Sequence, residues 1–282
     1  MSEPKKPVMF VSFSGGRTSA YMCWWMLENK ADDYEFIFTF ANTGQEHEKT
    51  LEFVDKCDKH FGLNLVWLEA VVNPEKGKGT RHKVVTYETA SRNGEPLESI
   101  VRKYGLFNAQ SYPHCTREAK LAPMNSYRKQ LGLGGSLFAV GIRADEIDRM
   151  SPSAMEQGLC YPLITMTQAT KPQIIHWWSE MPFDLEIPNH MGNCITCHKK
   201  SNRKLMTIAK HEPERFDFFA SLERLDTTRK LFRGQRSTQD ILEASKKPFK
   251  EFVDHKPELQ TELFDPMDLE SDCGAGCEIG NE

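Results

Sequence analysis

The chain has 282 residues, 39% of them hydrophobic and 27% charged, which fits one large α/β domain, or one domain with a small appendage, and excludes a disordered or fibrous chain. No stretch approaches the roughly 20 consecutive apolar residues of a membrane span, and the polar start Met1–Pro7, with Lys5 and Lys6, lacks the layout of a secretion signal. A cytoplasmic protein without a membrane partner is expected, in the host cytoplasm if the source is viral. The net charge of −4 is uneven: beyond Lys256 stand eight acids and no base, leaving 36 basic against 32 acidic residues, or +4, over residues 1–256. A mildly basic body suits a phosphate-bearing ligand.

In chain order, Val8–Phe13 is a short apolar run that ends in Ser14-Gly15-Gly16. It reads as a buried strand entering a glycine turn, with Thr18 or Ser19 capping a helix through about Asn29. Tyr34–Phe40 is a second strand, Asn42-Thr43-Gly44 a turn, Glu46–Phe61 a helix, Leu65–Val72 a third strand and Ser136–Val140 a fourth. Strand–helix alternation at this spacing argues for a parallel sheet covered on both faces. Residues 73–113 are polar and glycine-containing, and read as an insertion or lid. Lys120–Leu131 reads as a helix. Thr170–Met181 is a clearer one, with Thr170 as cap and Pro172 in its first turn. Ser201–His211 and Glu214–Leu222 read as helices divided at Pro213. The division expected is a nucleotide-binding domain over 1–170, a helical part with the Cys-x-x-Cys over 171–235, and an acidic, mobile tail over 236–282.

The segment Phe13-Ser14-Gly15-Gly16-Arg17-Thr18-Ser19 joins a strand to a helix. Paired glycines let backbone N–H groups turn inward, and the helix N-terminus adds unpaired donors and a positive dipole end. Together they cradle a phosphate. Ser14 and Ser19 add hydroxyls, and Arg17 can pair with phosphate oxygens. The spacing of a Walker A loop is absent.

This segment resembles the Ser-Gly-Gly-Lys-Asp-Ser signature of the PP-loop ATP pyrophosphatase and phosphoadenylyl-sulfate (PAPS) reductase superfamily, with Ser14, Gly15, Gly16 and Ser19 matching. Arg17 stands where Lys is usual and Thr18 where Asp is usual. Asn42-Thr43-Gly44, followed by Glu46, Glu48 and Thr50, resembles the Asp-Thr-Gly stretch after the second strand of the reductases. His114-Cys115-Thr116-Arg117, with Lys120 and Pro123, resembles their Cys-Cys-x-x-x-Lys-x-x-Pro region. Gly141-Ile142-Arg143-Ala144-Asp145-Glu146, with Arg149, resembles the Gly-x-Arg…Arg loop after a later strand. Matches in this order over roughly residues 8–165 are similar to a phage-type, reductase-like branch. The resemblance implies a Rossmann-like parallel sheet of adenine nucleotide α-hydrolase type, with a small C-terminal helical, cysteine-bearing part. Ser12, Ser14, Gly15, Gly16, Arg17, Thr18, Ser19, Asn42, Thr43, Gly44 and Gly141 would bind the nucleotide, and Arg17, Lys120, Arg143 and Arg149 would act in catalysis. Ligands of open α/β sheets sit at the carboxyl ends of strands, and a loop that follows a strand places Arg143 and Arg149 there.

Eight cysteines in a cytosolic chain suggest metal or thiol chemistry more than disulfides. Cys194-Ile195-Thr196-Cys197 has the spacing that brings two thiolates to one metal. Cys115 and Cys160 are the partners expected for it, with His114 and His198 as spare ligands. Four thiolates suit an iron–sulfur cluster or zinc. The resemblance favours a [4Fe–4S] cluster, with zinc as runner-up, and adds Mg²⁺ on the phosphates. Cys273 and Cys277 lie in the acidic tail, which faintly echoes the thiol-bearing tail of the reductases. Lys199, Lys200, Arg203 and Lys204, then Arg229, Lys230, Arg233 and Arg236, with Trp177 and Trp178 nearby, leave a nucleic-acid acceptor open beside the blander reading of solvated charge.

The leading expectation is an enzyme that binds ATP and cleaves it at the α-phosphate, to adenylate or sulfur-modify an acceptor. The alternatives are a sulfonucleotide reductase that uses a thiol, and a non-catalytic nucleotide- or nucleic-acid-binding protein with a metal staple. A homodimer is left open.

Overall fold

The structure, a computed structural model, describes residues 5–75, 77–107, 114–226 and 231–253. Cys273, Cys277, Arg229 and Lys230 lie outside the described residues.

Strand β1 (Val8–Ser12) leads into helix α1 (Arg17–Lys30), β2 (Glu35–Ala41), α2 (Glu48–Phe61) and β3 (Val66–Val72). Then come β4 (Thr80–Val85), α3 (Glu95–Tyr104), and a helical run made of α4 (His114–Thr116), a π-helical stretch (Arg117–Leu121) and α5 (Ala122–Gln130). β5 (Leu137–Ala139), β6 (Leu159–Cys160), α6 (Pro162–Thr165), α7 (Lys171–Ser179), α8 (Asn202–His211), α9 (Asp217–Leu225) and α10 (Thr238–Ser245) follow.

The six strands form one sheet in the order β4-β3-β2-β1-β5-β6. All neighbours are parallel except β4, which runs antiparallel to β3 at one edge. β1 is central, with Phe10 in register with Ile37 of β2 and Phe138 of β5. The expected α/β fold with a mainly parallel sheet is therefore what the chain adopts. Its topology matters for function. From β1 the chain lays strands outward on one side, then crosses to the other side for β5 and β6. The strand order reverses at β1 and β5, and in open α/β sheets ligands bind at that switch, outside the carboxyl ends.

Alternation along β1 assigns its two faces. Met9, Val11 and Phe13 join a core with Phe40, Phe53, Trp178 and residues of α1 and α2. Phe10 points the other way, to Leu68, Met124 and Phe138. Helix α7 lies on α1, with the Trp24 and Trp177 rings 4.5 Å apart. A third core, with Ile100, Leu205, Phe219, Phe232 and Ile241, gathers α3, α8, α9 and α10.

Three local expectations are corrected. Thr18 and Ser19 do not cap α1: Gly16 occupies the N-cap, with no side-chain cap. The 73–113 stretch carries β4 and α3, so polarity there marks an edge strand and a surface helix. Past Gln235 the chain forms α10, whose start is closed by Ser237 and Asp240. Among the described residues no helix is long and apolar enough to cross a membrane.

Candidate nucleotide-binding site

The Ser14–Ser19 loop leaves the carboxyl end of β1 at the switch point. Gly15 has φ +84°, and a Cβ there would lie 2.8 Å from the Thr50 methyl. The turn therefore brings bare backbone against α2, which only glycine permits without strain. Ser14 N–H donates to the Ser19 hydroxyl at 3.0 Å, and Ser19 Oγ donates to Gly16 O at 3.0 Å. The hydroxyls of Ser14 and Ser19 lie 2.9 Å apart. The serines thus brace the loop from inside. Helix α1 has no side-chain cap, and an uncapped helix start is an arrangement that suits an anion. Gly141, just past β5, admits the helix: a Cβ there would lie 3.2 Å from Ser19 Cα.

Beside the loop is a shallow, narrow cleft. Ser12, Phe13 and Ser14 line it from β1, Ala41 from β2 and Phe138 from β5, while Lys120, Leu121 and Met124 wall it from the helical run. Its apolar floor, hydroxyls and one lysine are side-chain types that meet a nucleotide.

Asn42, Thr43 and Gly44 follow β2 at the same end of the sheet. Asn42 is fully buried. Its Nδ2 donates to Glu69 Oε1 at 2.6 Å and to Ser91 O at 2.8 Å, and its Oδ1 accepts from Gly44 N–H at 3.2 Å. An amide at position 42 is thus matched to the buried carboxylate opposite, whose other oxygen meets Lys83 Nζ at 2.8 Å. Glu46 accepts from Thr43 N–H and Oγ1 and from Gln45 N–H. These groups hold the turn.

The expected cations divide. Lys120 lines the cleft. Arg143 reaches Thr18 Oγ1 at 3.4 Å while paired with Asp145 at 3.0 Å and Glu146 at 3.3 Å. Arg149 pairs with Glu146. Arg17 is the correction: its guanidinium binds Asp184 through two bonds and Leu185 O through a third. It turns from the loop mouth to the 180s segment. Asp184 had no local sequence signal, being 167 positions away.

The cysteine set is not assembled as expected. Cys194 docks at the end of β2, its Sγ 3.4 Å from Thr43 Oγ1, beside an isolated bridge between Glu46 and Cys194. Burial, with the Glu46 carboxylate nearby, pushes its thiol well up. Cys115 is also pushed up, by burial first and then by Cys197. Cys160 lies apart on β6, 3.9 Å from Met9 Sδ. Among the described residues no group of three or more His, Cys, Asp or Glu side chains could hold a metal. Asp145, Glu146 and Asp184 are each paired with an arginine. Among the described residues, Cys160 does not join Cys115, Cys194 and Cys197 in a four-thiolate centre. Of the spare ligands, His114 stacks on Tyr104 at 5.1 Å. His198 is buried, and burial lowers its pKa to about 3, with Phe107 and Phe232 around it.

Burial raises the Cys160 thiol to about 11. At pH 8 its alkylation by iodoacetamide should be about a hundredfold slower in the folded chain than in urea, from the smaller thiolate fraction alone. Peptide mapping by mass spectrometry reads this, and equal rates in the two states would contradict a packing role.

The basic run after Cys197 is partly structural. Lys200 is buried, and its Nζ donates to His190 O at 2.5 Å and Gly192 O at 2.7 Å. Trp178 is core, and Trp177 sits in an aromatic cluster with Tyr21 and Trp24.

Residues 8–157, more than half the chain, match the family model of the phosphoadenosine phosphosulfate reductase domain. An uncharacterized nin region protein of Escherichia phage lambda is 37% identical over 206 residues, 72% of this chain and 69% of that protein. An uncharacterized protein of Methanocaldococcus jannaschii is 32% identical over 131 residues, 46% of this chain and 25% of that protein. Among solved structures, a phosphoadenylyl-sulfate reductase from Candida auris in complex with phosphate aligns with a TM-score of 0.39 at 16% identity, covering 65% of this chain and 76% of that chain. On the family model and the phage relative, the chain belongs to the phosphoadenosine phosphosulfate reductase domain family.

Proposed function

We propose that the chain binds ATP, or a related adenine nucleotide, across the Ser14–Ser19 loop and cleaves it at the α-phosphate, passing the activated nucleotide to an acceptor. The observation that carries this reading is the uncapped N-terminus of α1 at the switch point, opening on a cleft that holds Lys120. The phosphates lie along the loop amides, and the base enters the cleft toward Phe138 and Met124. Lys120 and Arg143, brought beside Thr18, offset the charge that builds on the α-phosphate as its bond to the leaving pyrophosphate breaks. The acceptor's chemical class follows from neither the loop nor the cleft, and a nucleic acid stays open.

The test is incubation with ATP labelled at the α-phosphate, magnesium and candidate acceptors, followed by separation of AMP from ADP. AMP and pyrophosphate are expected. Lys120→Ala and Arg143→Ala should each slow the reaction about 10²–10³-fold, the usual cost of removing one positioned charge-stabilising group.

Family membership favours a second reading, sulfonucleotide reduction by a thiol. Against it, burial pushes the Cys194 and Cys115 thiols up, which lowers their thiolate content; Cys273, in the tail likened to that of the reductases, lies outside the described residues. Thiol-dependent sulfite release from a sulfonucleotide, with no AMP from ATP, would select this reading instead.

A further inference from the structure

Both handles of Arg17 are held from outside the loop. Its side chain donates Nε to Asp184 Oδ1 at 2.6 Å, Nη2 to Asp184 Oδ2 at 2.9 Å, and Nη2 again to Leu185 O at 2.6 Å. Its carbonyl accepts from the indole N–H of Trp178 at 3.0 Å, and Trp178 is 2% exposed. A planar guanidinium paired through two parallel bonds is fixed in direction. Turning to a phosphate would cost three hydrogen bonds and strand the Asp184 carboxylate. Ser14 and Ser19 brace the loop from within, but Gly15 and Gly16 carry no side chains to tie it to neighbouring elements. Its register against the sheet therefore depends on where the first residue of α1 is pinned.

We propose that Arg17 is a positioning residue and not a phosphate ligand: with Asp184 it clamps the start of α1 to the segment that follows α7, and so aims the loop amides. Lys120 then meets phosphate from the cleft wall, and Arg143 reaches it through Nη1, which bonds Thr18 Oγ1 at the loop while Nε and Nη2 stay on Asp145. The clamp rests on the nucleotide reading above for its purpose, but not for its existence. It makes Asp184, far from the loop in sequence, part of the machinery that binds nucleotide.

The test is a double-mutant cycle with Asp184→Asn, Arg17→Met and the pair together. ATP affinity is measured by calorimetry, and amide hydrogen exchange is followed over residues 14–19 without nucleotide. Each single variant should bind ATP about tenfold more weakly, and the double variant no more weakly than either single one. Loop amides should exchange faster in Asp184→Asn while the amides of β1 and β2 keep their protection. Asp184→Glu, which keeps the charge, should recover part of the affinity. Unchanged or tighter ATP binding in Asp184→Asn, with a loss in Arg17→Met, would overturn the clamp, because freeing a phosphate ligand gives that pattern. Additive losses would overturn it too. If the wild-type chain binds no ATP, the nucleotide reading fails. The clamp then stands or falls on exchange alone, and loop protection unchanged by Asp184→Asn would end it.

Discussion

Gly15→Ala should abolish measurable nucleotide binding and cost about 2–4 kcal/mol of stability. Two effects combine. The backbone at Gly15 has φ +84°, where an L side chain costs roughly 1–2 kcal/mol. The added methyl would also stand 2.8 Å from the Thr50 methyl and 3.3 Å from the Phe40 ring. Thr50 is buried on α2 and Phe40 is core, so neither yields without repacking. The loop must move, and its amides lose their shared focus. Gly16→Ala makes the better control, because a Cβ at Gly16 comes no closer than 4.0 Å, to Ser14 Oγ. It should fold normally and bind nucleotide far better than Gly15→Ala. Urea unfolding and ATP calorimetry on both variants read the result, and equal behaviour would remove the steric argument for the loop.

Asn42→Asp should destabilise the chain by about 3–5 kcal/mol at neutral pH, the scale of an uncompensated buried charge. Asn42 and Glu69 are both fully buried, 2.6 Å apart through the amide donor. The substitution turns that donor into a second carboxylate facing Glu69 Oε1 and Ser91 O, two acceptors with nothing between them. Lys83 pairs with the far oxygen of Glu69, and its side chain, about half exposed at 54%, offsets little of the new charge. A like charge and burial both raise the pKa of the introduced carboxyl above its unfolded value. The destabilisation is therefore largest above that raised pKa and shrinks as the pH falls through it, where the protonated acid can again donate. Urea unfolding at pH 7 and pH 5 measures both parts. A loss that does not shrink on acidification would mean that shape, and not charge, sets the requirement at position 42.

The loop was legible because everything that forms it is local. An apolar strand, two glycines and a helix start sit within a dozen residues, and the partners Ser14 and Ser19 are five apart. The parallel core strands were legible for the same reason, as runs buried on both faces. β4 was not: Thr80-Arg81-His82-Lys83 alternates charge outward at a sheet edge, the usual protection of an exposed strand, and composition alone reads it as loop. Helix α3 carried its pattern in Leu97, Ile100 and Val101, all buried, but flanking glycines and a polar neighbourhood hid it. The role of Arg17 could not be read locally, because a basic residue in a phosphate loop looks the same whether it faces phosphate or Asp184. Cysteine spacing was read as half a metal site, and did not show that Cys194 docks at the end of β2. It could not tell that Cys160, on β6, packs on Met9 away from the others.

The central claim is that an adenine nucleotide sits at the carboxyl end of β1, between the Ser14 loop and the cleft floored by Ala41 and Phe138. The most direct measurement is cross-linking with an azido-substituted ATP photoprobe, with the modified peptides identified by mass spectrometry. Label should fall on peptides that contain Ser12–Ser14, Lys120–Met124 or Phe138, be suppressed by excess ATP, and be lost in Gly15→Ala. Label concentrated on the basic stretch 199–236, or label unchanged by Gly15→Ala, would contradict the account.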